Sequence, residues 1–226
     1  MFNVTTRHIL CPACQRPAQA VTLLGRELVE CDPCADAEKA RRNAEQRQQK
    51  ALSAWVANTP LDMQAKLDPS KLHPALLPAL ETDGRAGCAL IGASDAGKTR
   101  IGYHLLRKAA LVGIPGMAVT HAEIRRAASN LNASDPKRSD AAHTLLNVCR
   151  HTACLLIDDI GKGSSTPVAD ETFFDLLTHR RDCRMLTHWT ANAGSEWLAK
   201  RFGEDKGRPI LLRLARLTDG RIYVAD

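Results

Sequence analysis

Gly92-Ala93-Ser94-Asp95-Ala96-Gly97-Lys98-Thr99 is a complete G-x-x-x-x-G-K-[ST] loop. Four constrained positions coincide by chance in roughly one chain per hundred of this length, so the stretch is read as a phosphate-binding turn. Its surroundings agree. Ala86-Gly-Cys-Ala-Leu-Ile91 before it is a short apolar run of strand type, and Arg100 to Val112 after it carries Ile101, Leu105 and Ala109 at helical spacing. Gly92 and Gly97 let the backbone curl until successive N–H groups point inward. The following helix N-terminus adds partial positive charge. In such a loop Lys98 reaches the β- and γ-phosphates of ATP, and the Thr99 hydroxyl ligates Mg²⁺.

The chain has 226 residues, enough for one substantial domain and an appendage. No apolar run approaches the ~18–20 residues that span a bilayer. Met1 to Leu10 lacks the apolar core of a secretory signal, so a cytoplasmic protein without a membrane partner is expected. A net charge of +6, from 31 Lys and Arg against 25 acids, favours an anionic partner, with nucleic acid the leading candidate. Aromatic residues make up only 4% of the chain, which argues against an extended base-stacking platform. Single-stranded DNA would then be held mainly by its backbone.

Cys11, Cys14, Cys31 and Cys34 form C-x₂-C-x₁₆-C-x₂-C, inside the spacing window of a four-thiolate Zn²⁺ site. Between the pairs, Val21 to Leu24, Gly25 and Glu27 to Glu30 read as a hairpin, the geometry of a zinc ribbon. Two disulfides, or unconnected structural thiols, are the competing readings; a reducing compartment disfavours the first and the paired spacing the second. Four thiolates leave no open coordination position, so the metal's expected role is structural. His8 is a bystander on this count. Cys88, Cys149, Cys154 and Cys183 lie scattered through apolar stretches as small hydrophobes. Ala35 to about Ala57 reads as a helix polar all round, either a solvated linker or a surface awaiting a partner. Prolines 60, 69, 74 and 78 make the next stretch a connector. The expected division is a ribbon with linker helix over 1–58 and a nucleotide-binding domain over 59–226.

Beyond the loop, strand and helix patterns alternate. Strands are read at Met117–Thr120, Thr152–Ile157, Met185–Thr190 and Arg221–Val224. Helices are read at Ala122–Asn130, Ala141–Cys149, Pro167–Arg181, Ser195–Phe202 and Pro209–Leu217, with Asn132–Ser139 a polar loop and Ser195 a helix cap. This is an α/β chain with a parallel sheet between helices. The Thr152–Ile157 strand runs into Asp158-Asp159. In a chain with a phosphate loop, Asp158 would hold Mg²⁺ and Asp159 would polarise the attacking water. Asn192, ending the next strand, either positions that water or turns the chain.

The loop, Leu155-Leu-Ile-Asp-Asp-Ile-Gly161, Trp189-Thr-Ala-Asn192 and Leu198-Ala-Lys-Arg-Phe-Gly203 together resemble the AAA+ ATPases of the DnaC/DnaI helicase-loader group, with IstB, a transposition helper, similar. Phage-encoded DnaC-like loaders look nearest, through Asp158-Asp-Ile-Gly-Lys-Gly and Gly207 to Arg216. The resemblance spans about Gly87 to Val224. It implies that Asn192 is the sensor I residue. It also implies that Arg213 is a finger entering a neighbouring subunit's ATP site, a role for which a planar, permanently charged group is suited. Arg208 and Arg216 flank it. Self-association, a hexameric DnaB-like replicative helicase as partner and single-stranded DNA binding are further implications. Asp159 stands where many AAA+ proteins carry Glu, so slow, switch-like hydrolysis is expected. The chain ends just after its last strand, and no helical lid is expected. The competing readings are an IstB-like helper, a small-molecule P-loop kinase, and a zinc-ribbon DNA-binding module with a vestigial loop.

Overall fold

A computed structural model describes residues 5–23, 26–162 and 166–225. The chain divides into two compact units, Met1–Arg47 and Gln48–Asp226.

The first unit is a three-stranded antiparallel sheet of β1 (Thr5–Leu10), β2 (Pro17–Leu23) and β3 (Arg26–Glu30), followed by helix α1 (Asp32–Asn58). Strand β1 is additional to the two strands read from the sequence. It pairs with β2 from Thr5↔Thr22 to Leu10↔Pro17. The expected turn at Gly25 lies outside the described residues. Cys11 N–H donates to the Arg16 carbonyl at 2.8 Å, closing the first C-x₂-C knuckle, while the second opens α1. Along α1, Glu38 accepts from Arg41 and Arg42, and Arg41 reaches Glu45, pairs at the i+3 and i+4 spacings of one exposed face.

The second unit takes in the last turns of α1. Ala51 and Trp55 are buried there with Leu106, Ala109, Ala110 and Leu156, and Trp55 Nε1 donates to the Tyr103 carbonyl at 3.3 Å. The connector holds short helix α2 (Leu61–Gln64) and two 3₁₀ segments, Pro69–Lys71 and Pro74–Glu81. Proline starts each 3₁₀ segment because its fixed φ suits a first turn and its missing donor costs nothing there. Leu72, Leu76 and Ala79 then seal against Leu90, Ile101 and Leu105.

The core elements are β4 (Ala89–Gly92), α3 (Lys98–Leu111), β5 (Gly116–Thr120), α4 (His121–Asn130), α5 (Pro136–His151) and β6 (Cys154–Ile160). There follow α6 (Pro167–Asp182), β7 (Leu186–Ala191), α7 (Ser195–Phe202), α8 (Glu204–Leu217) and β8 (Ile222–Ala225). The five strands pair in parallel in the order β5-β6-β7-β4-β8, giving the parallel sheet expected from the alternating strand and helix patterns. Alternation along β6 feeds both faces: Leu155 and Ile157 join Phe173, Trp189 and Leu214, whereas Cys154 and Leu156 join the α1–α3 side. Arg180 is fully buried and stitches three elements. It donates to the carbonyls of Cys149, Thr152 and Leu186 and to Thr187 Oγ1. Burial lowers its pKa to about 10.

Several boundaries differ from the sequence reading. Helix α5 starts inside the supposed polar loop, because Asp135 accepts from Lys137 N–H at 3.0 Å and Pro136 fits the first helical position. Strand β6 runs past both aspartates to Ile160. The cap of α7 is Gly194, with Ser195 its first residue, and α8 begins at Glu204, placing Pro209 within it.

Candidate nucleotide site and four-cysteine centre

The C-terminal ends of parallel strands are where α/β sheets bind ligands, and the sequence-derived residues converge there. Gly92 ends β4 with φ 152°, and a Cβ on it would lie 2.5 Å from the Ala225 carbonyl oxygen, so only glycine fits. Gly97 turns into α3 at φ 89°, with Leu72 pressed against its α-carbon side. Lys98 is 5% exposed, and its Nζ donates to the Ala93 carbonyl at 2.6 Å, across the loop. Burial lowers its pKa, while Asp159, Asp158 and Asp95 oppose that shift.

Thr99 Oγ1 donates to Asp158 at 3.0 and 3.1 Å, and Thr190 Oγ1 donates to the same carboxylate at 2.5 Å. Asp159 N–H in turn donates to Thr190 Oγ1 at 2.9 Å. Successive residues of a strand ordinarily point to opposite faces. Here a register shift between Ile157 and Ile160 breaks that alternation, and Asp159 takes φ 57°. The bulge re-aims the second acid: Asp158 faces Thr99 and Thr190, whereas Asp159 meets Asn192 Nδ2 at 3.2 Å and Lys162 Nζ at 3.3 Å. The turn after the acids is tied down on two sides. Arg125 donates to the Lys162 carbonyl at 2.9 Å and Arg201 to the Gly161 carbonyl at 3.0 Å. His121 Nδ1 accepts from Gly161 N–H at 3.4 Å.

A cavity of about 320 Å³ opens over this network, lined by Ser94, Asp95, Gly97, Lys98, Thr99, Arg100, Asp159, Lys162 and Asn192. Lys71 and Met63 line it too, contributed by the connector, whose His73 N–H donates to the Ala96 carbonyl at 3.1 Å. Lys71, Lys162 and Thr190 were not singled out from the sequence. Thr190 and Lys162 lay inside the quoted motifs, but nothing in their spacing assigned them to the site, and Lys71 had no signal at all. Arg213 is elsewhere. Its guanidinium stacks 3.8 Å over the Phe174 ring, with Nε donating to Thr178 Oγ1 at 2.6 Å. Arg208 and Arg216, on the same helix, are exposed.

The donor set suits Mg²⁺. A threonine hydroxyl and a carboxylate already within 3.1 Å of each other are hard oxygen ligands that one small cation bridges directly or through water. The loop N–H groups and Lys98 suit a phosphate chain.

In the first unit, the Sγ atoms of Cys11, Cys14, Cys31 and Cys34 all lie within 4.8 Å of one another, and none is in a disulfide. Cys11–Cys34 and Cys14–Cys31 are 3.7 and 3.4 Å apart. Tetrahedral zinc at Zn–S of about 2.3 Å needs sulfurs separated by about 3.8 Å. N–H groups of Cys14 and Ala13 lower the Cys11 pKa to about 7, while bonds to the neighbouring sulfurs of Cys14, Cys11 and Cys31 push Cys34 up to about 12. Four crowded thiols cannot all ionise without a cation among them, so this set fits Zn²⁺.

No family model and no curated protein matches the chain. Solved structures do. A crystal structure of DnaI aligns with TM-score 0.58 at 20% identity, over 74% of this chain and 94% of that one. A DnaC helicase loader aligns with TM-score 0.52 at 21% identity, over 77% and 99%. A replication initiator, DnaA bound to AMPPCP and single-stranded DNA, aligns with TM-score 0.50 at 14% identity, over 72% and 51%. At these identities the likeness establishes the shared fold.

Proposed function

We propose that the chain is an ATP-hydrolysing helicase loader of the DnaC/DnaI kind, which binds single-stranded DNA and delivers a hexameric replicative helicase during DNA replication. The convergence of Lys98, Thr99, Asp158, Asp159 and Asn192 on one cavity carries the ATPase reading. The Cys₄ ribbon ahead of a DnaI-like fold favours the loader over an IstB-like transposition helper. No helix among the described residues is long and apolar enough to cross a membrane.

Within the site, the loop N–H groups and Lys98 hold and neutralise the β- and γ-phosphates. Thr99 and Asp158 would hold Mg²⁺, which supplies charge neutralisation to the phosphates. Thr190 fixes the Asp158 carboxylate. Asp159 accepts a proton from water as the water oxygen bonds to the γ-phosphorus and the bond to the β-phosphate oxygen breaks; Asn192 keeps that carboxylate and the water aligned. Asp lacks one methylene of Glu's reach, which slows turnover and suits a switch. Arg213 is assigned to a neighbouring subunit's γ-phosphate, a role that requires it to leave Phe174. The ribbon and polar face of α1 are assigned to the helicase.

The test is co-precipitation of the full chain with the replicative helicase, with and without ATP. Loss of the complex on deleting residues 1–47, which leaves Ala51 and Trp55 in the core unit, with ATP binding kept, is the expected result. A complex that survives the deletion, or none under either condition, rules the loader assignment out.

A further inference from the structure

At the end of the sheet opposite the nucleotide site, the segments leading into β4, β7 and β8 border an open cleft of about 490 Å³. Five arginines line it: Arg85, Arg181, Arg184, Arg216 and Arg221, with Asp219 the lone carboxylate in the lining. The topology gathers them. Arg85, Arg184 and Arg221 stand just before the starts of three adjacent parallel strands, while Arg181 and Arg216 sit in the last turns of α6 and α8.

Only part of this charge is balanced. Arg181 meets Asp182 at 2.6 Å and Arg221 meets Asp219 at 3.5 Å. Arg85, Arg184 and Arg216 are exposed, and among the described residues no carboxylate pairs with them. Their neighbour Arg213 registers the crowding: burial first, then Arg181 and Arg216, lower its pKa. Guanidiniums that outnumber their acids repel one another, and a phosphate accepting bidentate donors relieves that repulsion. Because no aromatic side chain among the described residues lines the cleft, bases would have nothing there to stack on. The arginines project from the rim of an open groove, which suits an extended chain better than an enclosed small molecule.

We propose that this arginine cleft binds the phosphodiester backbone of single-stranded nucleic acid, without reading its sequence. The assignment rests on the DNA-binding part of the proposed function and adds where the strand lies, at the end of the sheet away from the chain's own nucleotide site.

The experiment is fluorescence anisotropy of a labelled oligo-dT with the full chain across a salt series, using wild type, Arg85→Ala/Arg184→Ala and Arg85→Lys/Arg184→Lys. The alanine pair should bind about tenfold more weakly near physiological salt and lower the slope of log K against log salt by about 1.4, at about 0.7 per lost single-strand phosphate contact. The lysine pair should keep the slope, and both variants should keep wild-type ATP affinity, which shows that they fold. If wild type binds oligo-dT and the alanine pair binds it equally well, the cleft is wrong and the DNA-binding reading stands. If wild type does not bind with or without ATP, both fall. Displacement of oligo-dT by polyglutamate at equal charge concentration would assign the cleft to an acidic protein segment instead, and overturn the proposal.

Discussion

The four-cysteine unit and the parallel-sheet core solve the problem of holding a charged site in opposite ways. The ribbon brings its ligands together through two tight knuckles, and its buried cluster consists of Cys11, Ala18 and Cys31, with Ile9, Cys14 and Cys34 packed around it. Four of those six side chains are the candidate ligands themselves, so a metal bound there would stand where a core would be. The core instead buries Phe173, Trp189, Ile157, Leu177, Leu214 and their neighbours on one face of the sheet alone. Its site residues are displayed by a scaffold that folds for other reasons. A site built on its own ligands fails when the ion leaves, whereas a site displayed on a packed sheet keeps its fold when its chemistry is removed.

The largest effect that checks this contrast is chelation. Structural zinc in small units supplies about 10–16 kcal/mol of apparent folding energy. A strong chelator at neutral pH should therefore abolish amide-exchange protection in β1–β3 and leave protection in β4–β8 intact. Protection of both units without metal would break the comparison. Next in size is removal of chemistry from the core alone. Asp159→Asn should cut single-turnover hydrolysis by about 10²–10⁴-fold, the range of a general base, with ATP affinity and thermal midpoint near wild type. A variant that hydrolyses normally would show that Asp159 is not the base.

The same contrast explains what was legible in the sequence. The phosphate loop and the cysteine spacing are local patterns, and each marked its site before any fold was known. The strand before Asp158 was also legible, since a run of apolar residues needs no partner to be recognised. The aim of Asp159 was not, because it depends on a bulge against β7 that only pairing creates. Thr190 was hidden for a similar reason: a threonine in a buried strand is unremarkable until Asp158 lies 2.5 Å from its hydroxyl. The arginine cleft was the least visible, as its members are scattered from Arg85 to Arg221 and meet only through the order of parallel strands.

A smaller effect concerns the core's own stability. His121 and His188 are buried and neutral, with burial lowering their pKa values from 6.5 to about 3 and about 4; Arg125 and Arg201 add to the shift at His121, and Arg180 to that at His188. Between pH 6.5 and about 4 the unfolded chain binds protons that the folded core refuses, so stability falls as pH falls through that window. Going from pH 7 to pH 5 should cost about 4 kcal/mol from the two groups together. Denaturant unfolding followed by tryptophan fluorescence, which reports Trp55, Trp189 and Trp197 of the core unit, measures it. A flat stability over that range would show that the histidines are not held neutral.

The central claim is that Gly92 to Thr99 and the acids at the end of β6 form one nucleotide site. Calorimetric titration of ATP with Mg²⁺ into wild type and into Lys98→Ala tests it most directly. Saturable binding by the wild type at one site per chain, weakened at least about 100-fold in the variant by loss of the cation on the phosphates, is the predicted result. Equal affinity in the two proteins, or no binding by the wild type, would contradict the account.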